Sequence, residues 1–362
     1  MFDKFFKKEK PMTGMTGMGG GFARFKGGSI GAISASGGST FTVGDFKYHV
    51  INSSTPSPTK ELTISAITTD PTANVIDFLV VGGGGGAGGG DNAYGGGGGA
   101  GGVIFRPGKP IPSTGGPYPI TIGSGGSGLP IDNSNPGGQP STDGADTVVG
   151  SSPDPIYFIA KGGGGGASGA GYQFGTGGRD GGSGGGGGGG ASGDPSYGSK
   201  TQPGQPGDSG TYGHGNDGGG TGGGGGGGGA GSAGGNQGLA GNGLQVPEPF
   251  LPPSVPAPLA SAISPYGTPS PEFRYFGGGG QMWGPGISPG GGNSRSAGGT
   301  DYGLGGGGLA APSDPLSSTP SNAHGIDGKG GGGASLTSNN PRSYAGDGGD
   351  GIVLIKYKFQ NY

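Results

Sequence analysis

The stretch FLVVGGGGGAGGGDNAYGGGGGAGGVIF, residues 78–105, decides how this chain can fold. A short apolar strand runs straight into glycine. The glycine then passes through a four-residue polar and aromatic connector, DNAY, and returns through more glycine to a second apolar segment, VIF. Residues 75–81 (VIDFLVV) are almost continuously apolar and rich in β-branched side chains, as a strand buried on both faces would be. No helical pattern can be laid over the residues beyond 81, because glycine is the second-worst residue for a helix interior.

Working outward, the same grammar recurs. Further glycine runs occupy residues 162–166, 184–190, 222–229, 277–280, 305–308 and 330–333. Between them lie connectors rich in Pro, Ser, Asn, Asp and Tyr, the residues of turns. Strand-like segments precede or interrupt the early runs at 41–51 (FTVGDFKYHVI), 62–67, 103–105, 118–122, 147–149 and 156–159. Almost two hundred residues then pass without a convincing strand, until 352–359 (IVLIKYKF). That last segment is too apolar for an open edge and is expected to pair beside 75–81. The fold class is therefore mainly β, with short antiparallel strands framing a glycine-rich bundle and almost no α-helix. Three regions are expected: an N-terminal anchor segment, 1–38; a small β region, 39–74; and a glycine-rich domain, 75–362.

Composition narrows the alternatives. Glycine provides 107 of 362 residues, proline 32, and charged residues only 11%. A chain so poor in apolar residues is ordinarily disordered through charge repulsion. Here the net charge is only −3, so something besides a large hydrophobic core must organise it. Strict Gly-X-Y periodicity is absent, which disfavours collagen. Repeated glycine runs bounded by turns fit a bundle of extended three-fold polyglycine II helices better than a linker. Without Cβ atoms such helices approach until each N–H bonds a neighbouring carbonyl.

Little in the sequence carries chemistry. There is no cysteine, so disulfides, thiolate metal sites and thiol catalysis are excluded. His49, His214 and His324 are far apart and lack ligand spacing. The many GxGxxG matches are not followed by a helix and do not indicate a dinucleotide site. Asp347 and Asp350, in GDGGDG, make one copy of a calcium-repeat pattern that needs stacked copies, and are expected to shape a tight turn. RGG boxes and basic charge are missing, so no nucleic acid is expected. No apolar run approaches the ~20 residues of a membrane span, and residues 1–10 lack the apolar stretch of a secretory signal. No catalytic residue, metal or cofactor is expected.

The block at 78–105, the segment YPITIGSGGSG (118–128) and the ending GDGGDGIVLIKY (346–357) resemble the glycine-rich domain of bacteriophage tail-fibre and other virion surface proteins. The chain is more distantly similar to the tail-fibre-tip adhesins of T-even-like phages. The resemblance implies a virion protein that attaches to the host through loops between glycine runs. Its partners would be other virion or tail-fibre proteins and a host surface glycan or outer-membrane protein, with a homo-oligomer allowed. The alternative is a purely structural virion subunit or capsid decoration without a receptor. Aromatic side chains on small polar loops supply contact area at low entropy cost. The candidate receptor-binding residues are therefore Tyr172, Phe174, Tyr197, Tyr212, Tyr266, Phe273, Tyr275, Trp283 and Tyr302, with the Pro-rich connector 246–276 foremost. Phe2, Phe5, Phe6, Met12, Met15 and Met18 are candidate virion-anchoring residues.

Overall fold

The computed structural model describes residues 32–91, 94–129, 141–170, 177–189, 196–220, 223–252, 255–263, 274–283, 304–309, 323–336 and 344–359. The first strands are β1 (Ser34–Ser36), β2 (Ser39–Val43), β3 (Phe46–Asn52), β4 (Glu61–Ala66) and β5 (Val75–Val81). The segment expected as one strand at 41–51 is a hairpin, broken at Gly44 and Asp45. Gly44 adopts φ +58, the conformation a two-residue turn requires and a side chain resists. Next come β6 (Gly90–Asp91), β7 (Val103–Pro110), β8 (Gly115–Thr121), β9 (Thr147–Val149), β10 (Phe158–Ala160), β11 (Gly169–Ala170) and β12 (Gly213–His214). Two-residue strands β13 (Leu244–Gln245), β14 (Tyr275–Phe276), β15 (Met282–Trp283), β16 (Ser335–Leu336) and β17 (Tyr344–Ala345) come before β18 (Ile352–Lys358). Among the described residues the helices are two short ones, α1 (Asp208–Thr211) and α2 (Ala257–Ile263), with single 3-10 turns elsewhere. The protein is mainly β, as its strand and glycine pattern implies.

Two sheets form a sandwich. One has the order β1-β4-β8-β9-β10, the other β12-β7-β5-β18-β3-β2. β18 lies between β5 and β3, antiparallel to both, with Ile352 opposite Val81 and Asn52. The expected return of the last strand beside the first glycine-leading strand is therefore met. Alternation along each strand divides the core. Phe78, Val80, Val353, Ile355 and Tyr357 face Leu62, Ile64, Ile120 and Phe158 of the five-stranded sheet. Tyr48, Val50, Leu79, Val81, Ile352 and Leu354 face the other way.

That second face is covered by the described parts of the Pro-rich connector, 246–252, 255–263 and 274–276. Val246, Phe250, Leu251, Leu259, Ile263 and Phe276 are buried against it. The Tyr48 hydroxyl donates to the Phe250 carbonyl at 2.8 Å, and the Lys356 ammonium donates to that of Pro249. Burial, reinforced by Asp77, pushes the Tyr48 phenol up to about 12; burial also holds Lys356 down. A stretch dense in proline and aromatics can line a core because proline makes few backbone demands for hydrogen bonds.

The glycine segments leave one end of this sandwich as extended arms, and almost all of their glycines are buried. Backbone hydrogen bonds join the arms in a register that repeats every three residues. Arm 94–102 shows the pattern in full. Gly96, Gly99 and Gly102 donate to Ala167, Gly164 and Lys161; Gly97 and Ala100 donate to Gly225 and Gly228; Gly98 and Gly101 donate to Gly333 and Gly330, all at 2.7–3.0 Å. On the acceptor side, Gly102, Gly99 and Gly96 take N–H groups from Gly82, Gly85 and Gly88, Ala100 and Gly97 take those of Ser183 and Gly186, and Gly98 takes that of Gly280. One arm thus donates to three neighbours and accepts from three others. This network answers the question of where the buried amides find partners.

Candidate functional site: the far end of the glycine arms

The arms give the molecule two unlike ends. At the sandwich end, called the base, β5 begins at Val75, β18 finishes at Lys358, and β1 begins at Ser34 opposite Ala66. Both ends of the described chain, residues 32 and 359, therefore lie at the base. Outgoing and returning arms meet at the opposite end. There β6 pairs with β11, Gly88 bridges Leu129, and Tyr94 bridges Gly189. β15, β16 and β17 make a small sheet at the same end, tied to the first group by the Ser335 hydroxyl, which donates to the Gly88 carbonyl at 2.6 Å. The described residues that flank reversals of the chain gather here: 91 and 94, 129 and 141, 170 and 177, 189 and 196, 309 and 323, 336 and 344.

Where the bundle runs out of neighbouring arms, side chains replace them. Asp143 and Asp146, three residues apart, accept the N–H groups of Gly165 and Gly162 at 2.8 Å. Their other oxygens pair with Arg179 at 2.8 Å and Lys161 at 2.6 Å. Asp347 and Asp350, also three apart, accept from Gly128 at 2.8 Å and Gly125 at 2.9 Å. These two carboxylates border the bundle rather than form a tight turn before β18. The spacing was legible in GDGGDG; its meaning depends on a neighbouring arm more than two hundred residues away in sequence.

The candidate aromatics distribute unevenly. Tyr197 is exposed on the returning segment 196–200, next to the far end, at 48% of full accessibility. Trp283 sits in β15, opposite Leu336. Tyr212 and Tyr275 belong to the base instead. Tyr212 packs against the sandwich core, with the Arg106 guanidinium 4.3 Å above its ring. Tyr275 pairs with Gln245, and its carbonyl accepts from the buried Lys329 ammonium at 3.1 Å. Tyr172, Phe174, Tyr266, Phe273 and Tyr302, and the anchoring candidates Phe2, Phe5, Phe6, Met12, Met15 and Met18, lie outside the described residues. Sequence reasoning missed Tyr344 and Met282, which the far-end sheet brings close to the group around Tyr94. The available signal was position: Tyr344 stands just before a returning arm, as Tyr94 does.

Among the described residues no group of three or more His, Asp or Glu could hold a metal ion. Burial holds both His49 and His214 below the usual histidine range, but each belongs to a strand of the sandwich rather than to the far end. Among the described residues no helix is long and apolar enough to cross a membrane. What the described residues offer is a hydrogen-bonded platform at which the outer ends of the glycine arms meet.

The sequence profile of the glycine-rich domain matches residues 59–358, nearly the whole described fold from the loop before β4 to the end of β18. The chain belongs to the glycine-rich domain family. No curated protein matches it. The family's span takes in the arms, the Pro-rich cover and the closing strand together. β2 and β3 precede it, although they share the six-stranded sheet with β18.

Proposed function

We propose that the arms of this glycine-rich domain are polyglycine II helices, and that the protein is a bacteriophage virion protein, a tail-fibre or fibre-tip adhesin. It binds a host surface glycan or outer-membrane protein non-covalently through connectors at the far end and performs no catalysis. The observation that carries this reading is polarity. Both ends of the described chain leave from the base, while the outer ends of the glycine arms gather at the other end. A protein fixed to a fibre through its base would present those connectors outward. The three-residue hydrogen-bond step supports the polyglycine II assignment, because that helix has three residues per turn and no internal hydrogen bonds. A rigid, preorganised platform lowers the ordering cost of recognition by its connectors.

The decisive test is adsorption of labelled, folded protein to host cells in competition with intact phage. Saturable, competed binding is expected, and it should weaken on replacing Tyr197 with Ala while the base variant Tyr275→Ala retains it. A folded protein that does not bind at all would transfer the assignment to a structural virion subunit without a receptor.

A further inference from the structure

An open sheet edge exposes a row of backbone donors and acceptors and invites another strand. Three of the four edges of the sandwich are guarded. At β10 the Ser209 hydroxyl accepts the Ile159 N–H at 3.0 Å, the Gln202 side chain donates to the Ile159 carbonyl at 3.1 Å, and its oxygen accepts the Lys161 N–H at 2.7 Å. β12 is two residues long and adjoins α1. β1 is three residues long, carries a register shift between Ser34 and Ala35, and gives its Ala35 N–H to the Tyr357 hydroxyl at 3.1 Å.

β2 is different. Its sequence, STFTV, has no charge and no proline, and its register with β3 is unbroken. The two-residue turn makes Val43 and Phe46 a hydrogen-bonded pair. The phase is fixed independently, since the Asp45 carbonyl accepts the Phe359 N–H on the β18 side of β3. Ser39, Phe41 and Val43 therefore bond to β3, and Thr40 and Thr42 turn their N–H and carbonyl groups outward. Both threonines are exposed, and Phe41 is only half-buried at the margin of the Pro-rich cover.

We propose that β2 pairs antiparallel with β2 of a second copy of this chain, about a two-fold axis passing through Phe41. In that register Thr40 faces Thr42 of the partner subunit and Thr42 faces its Thr40, so the outward donors and acceptors on each edge are matched by the same groups on the other. Phe41 meets its symmetry mate at a position that is not hydrogen-bonded, where opposed side chains come closest. One uncharged edge thus supplies both halves of an isologous interface. The two six-stranded sheets become continuous, and the two bundles point in opposite directions. The pairing stands independently of the attachment reading.

The chain's lack of cysteine makes the test clean. Sedimentation of the full chain over a range of concentrations is expected to show a dimer. Thr42→Pro, which removes an outward N–H that bonds to nothing among the described residues, should weaken dimerisation at least tenfold with an unchanged circular dichroism spectrum. If Thr42→Pro does not fold, Thr42→Lys, which places a charge on the edge, serves in its place. Phe41→Cys should oxidise to a disulfide-linked dimer, whereas Thr211→Cys, exposed on α1, should not. A monomer at every concentration, a dimer indifferent to both edge variants, or no faster cross-linking at 41 than at 211 would each overturn the proposal.

Discussion

Two residues show how closely this fold is specified. Gly98 lies in arm 94–102, and a Cβ there would stand 2.1 Å from the Gly85 carbonyl oxygen. Its φ is ordinary, so the requirement comes from close approach and not from a left-handed backbone. Gly98→Ala is expected to cost about 1–3 kcal/mol or more, because the obstructing atom is backbone and cannot rotate away. Gly204→Ala, where nothing lies within 4 Å, should be nearly neutral; equal denaturation midpoints for the two variants would remove the packing argument. His49 gives a pH dependence. Its Nδ1 donates to the Gly37 carbonyl at 2.7 Å, which fixes the tautomer, and its Nε2 accepts from the Tyr357 hydroxyl at 3.2 Å. Burial lowers its pKa and Lys47 adds to that, against the Gly37 bond. The folded state then binds fewer protons than the unfolded state, so the stabilisation is complete above about pH 6.5. It declines as the pH falls from there toward the folded pKa. His214, lowered by burial, adds to the same window. Denaturation midpoints should fall between pH 7 and pH 5, and His49→Gln should flatten that slope, whatever it does to absolute stability. An unchanged slope would assign the effect elsewhere.

At the scale of elements, the strands were legible and their surroundings were not. Residues 75–81 and 352–359 announce themselves by continuous β-branched and aliphatic side chains, and β5 and β18 fall there. β1, SAS, has no such signature; it is a strand because β4 and the Tyr357 hydroxyl satisfy it. In the connector 246–276, proline and aromatics describe a surface loop and a core lid equally well. Only the second face of the six-stranded sheet, bare without a lid, decides between them. Arm edges obey a rule that the sequence does contain: Asp residues three apart stand in for a missing neighbour. That rule predicts a graded response at Asp146. Asp146→Asn keeps an acceptor for the Gly162 N–H and loses only the ion pair with Lys161, a half-exposed interaction worth about 0–1 kcal/mol. Asp146→Leu leaves the buried Gly162 amide without a partner and should cost about 1–3 kcal/mol. Amide exchange at Gly162 should accelerate in the Leu variant and hardly change in the Asn variant; equal exchange in both would mean that water replaces the carboxylate there.

For the whole molecule, closure matters more than any single arm. β18 pairs with β3, about three hundred residues earlier, and with β5, whose glycine arm begins the bundle. The first glycine arm leaves β5 and the last leads into β18 itself, so this one segment ties both to β3. Ile352, Val353, Leu354 and Ile355 are fully buried, each contributing about 1.5–3 kcal/mol of apolar burial. Together they approach the ~5–15 kcal/mol by which a domain is stable at all. Contacts so distant in sequence also delay folding, since a long loop must close before it is rewarded. A chain ending at Gly351 should therefore lack a cooperative unfolding transition and be cut by protease within its glycine segments. A peptide of residues 352–359 supplied in trans should restore the transition and the protection together, because it returns the strand that locks β3 to β5. If the truncated chain instead melts at the full-length midpoint, the arms hold themselves together without the sandwich, and β18 is only a cover for its two neighbours.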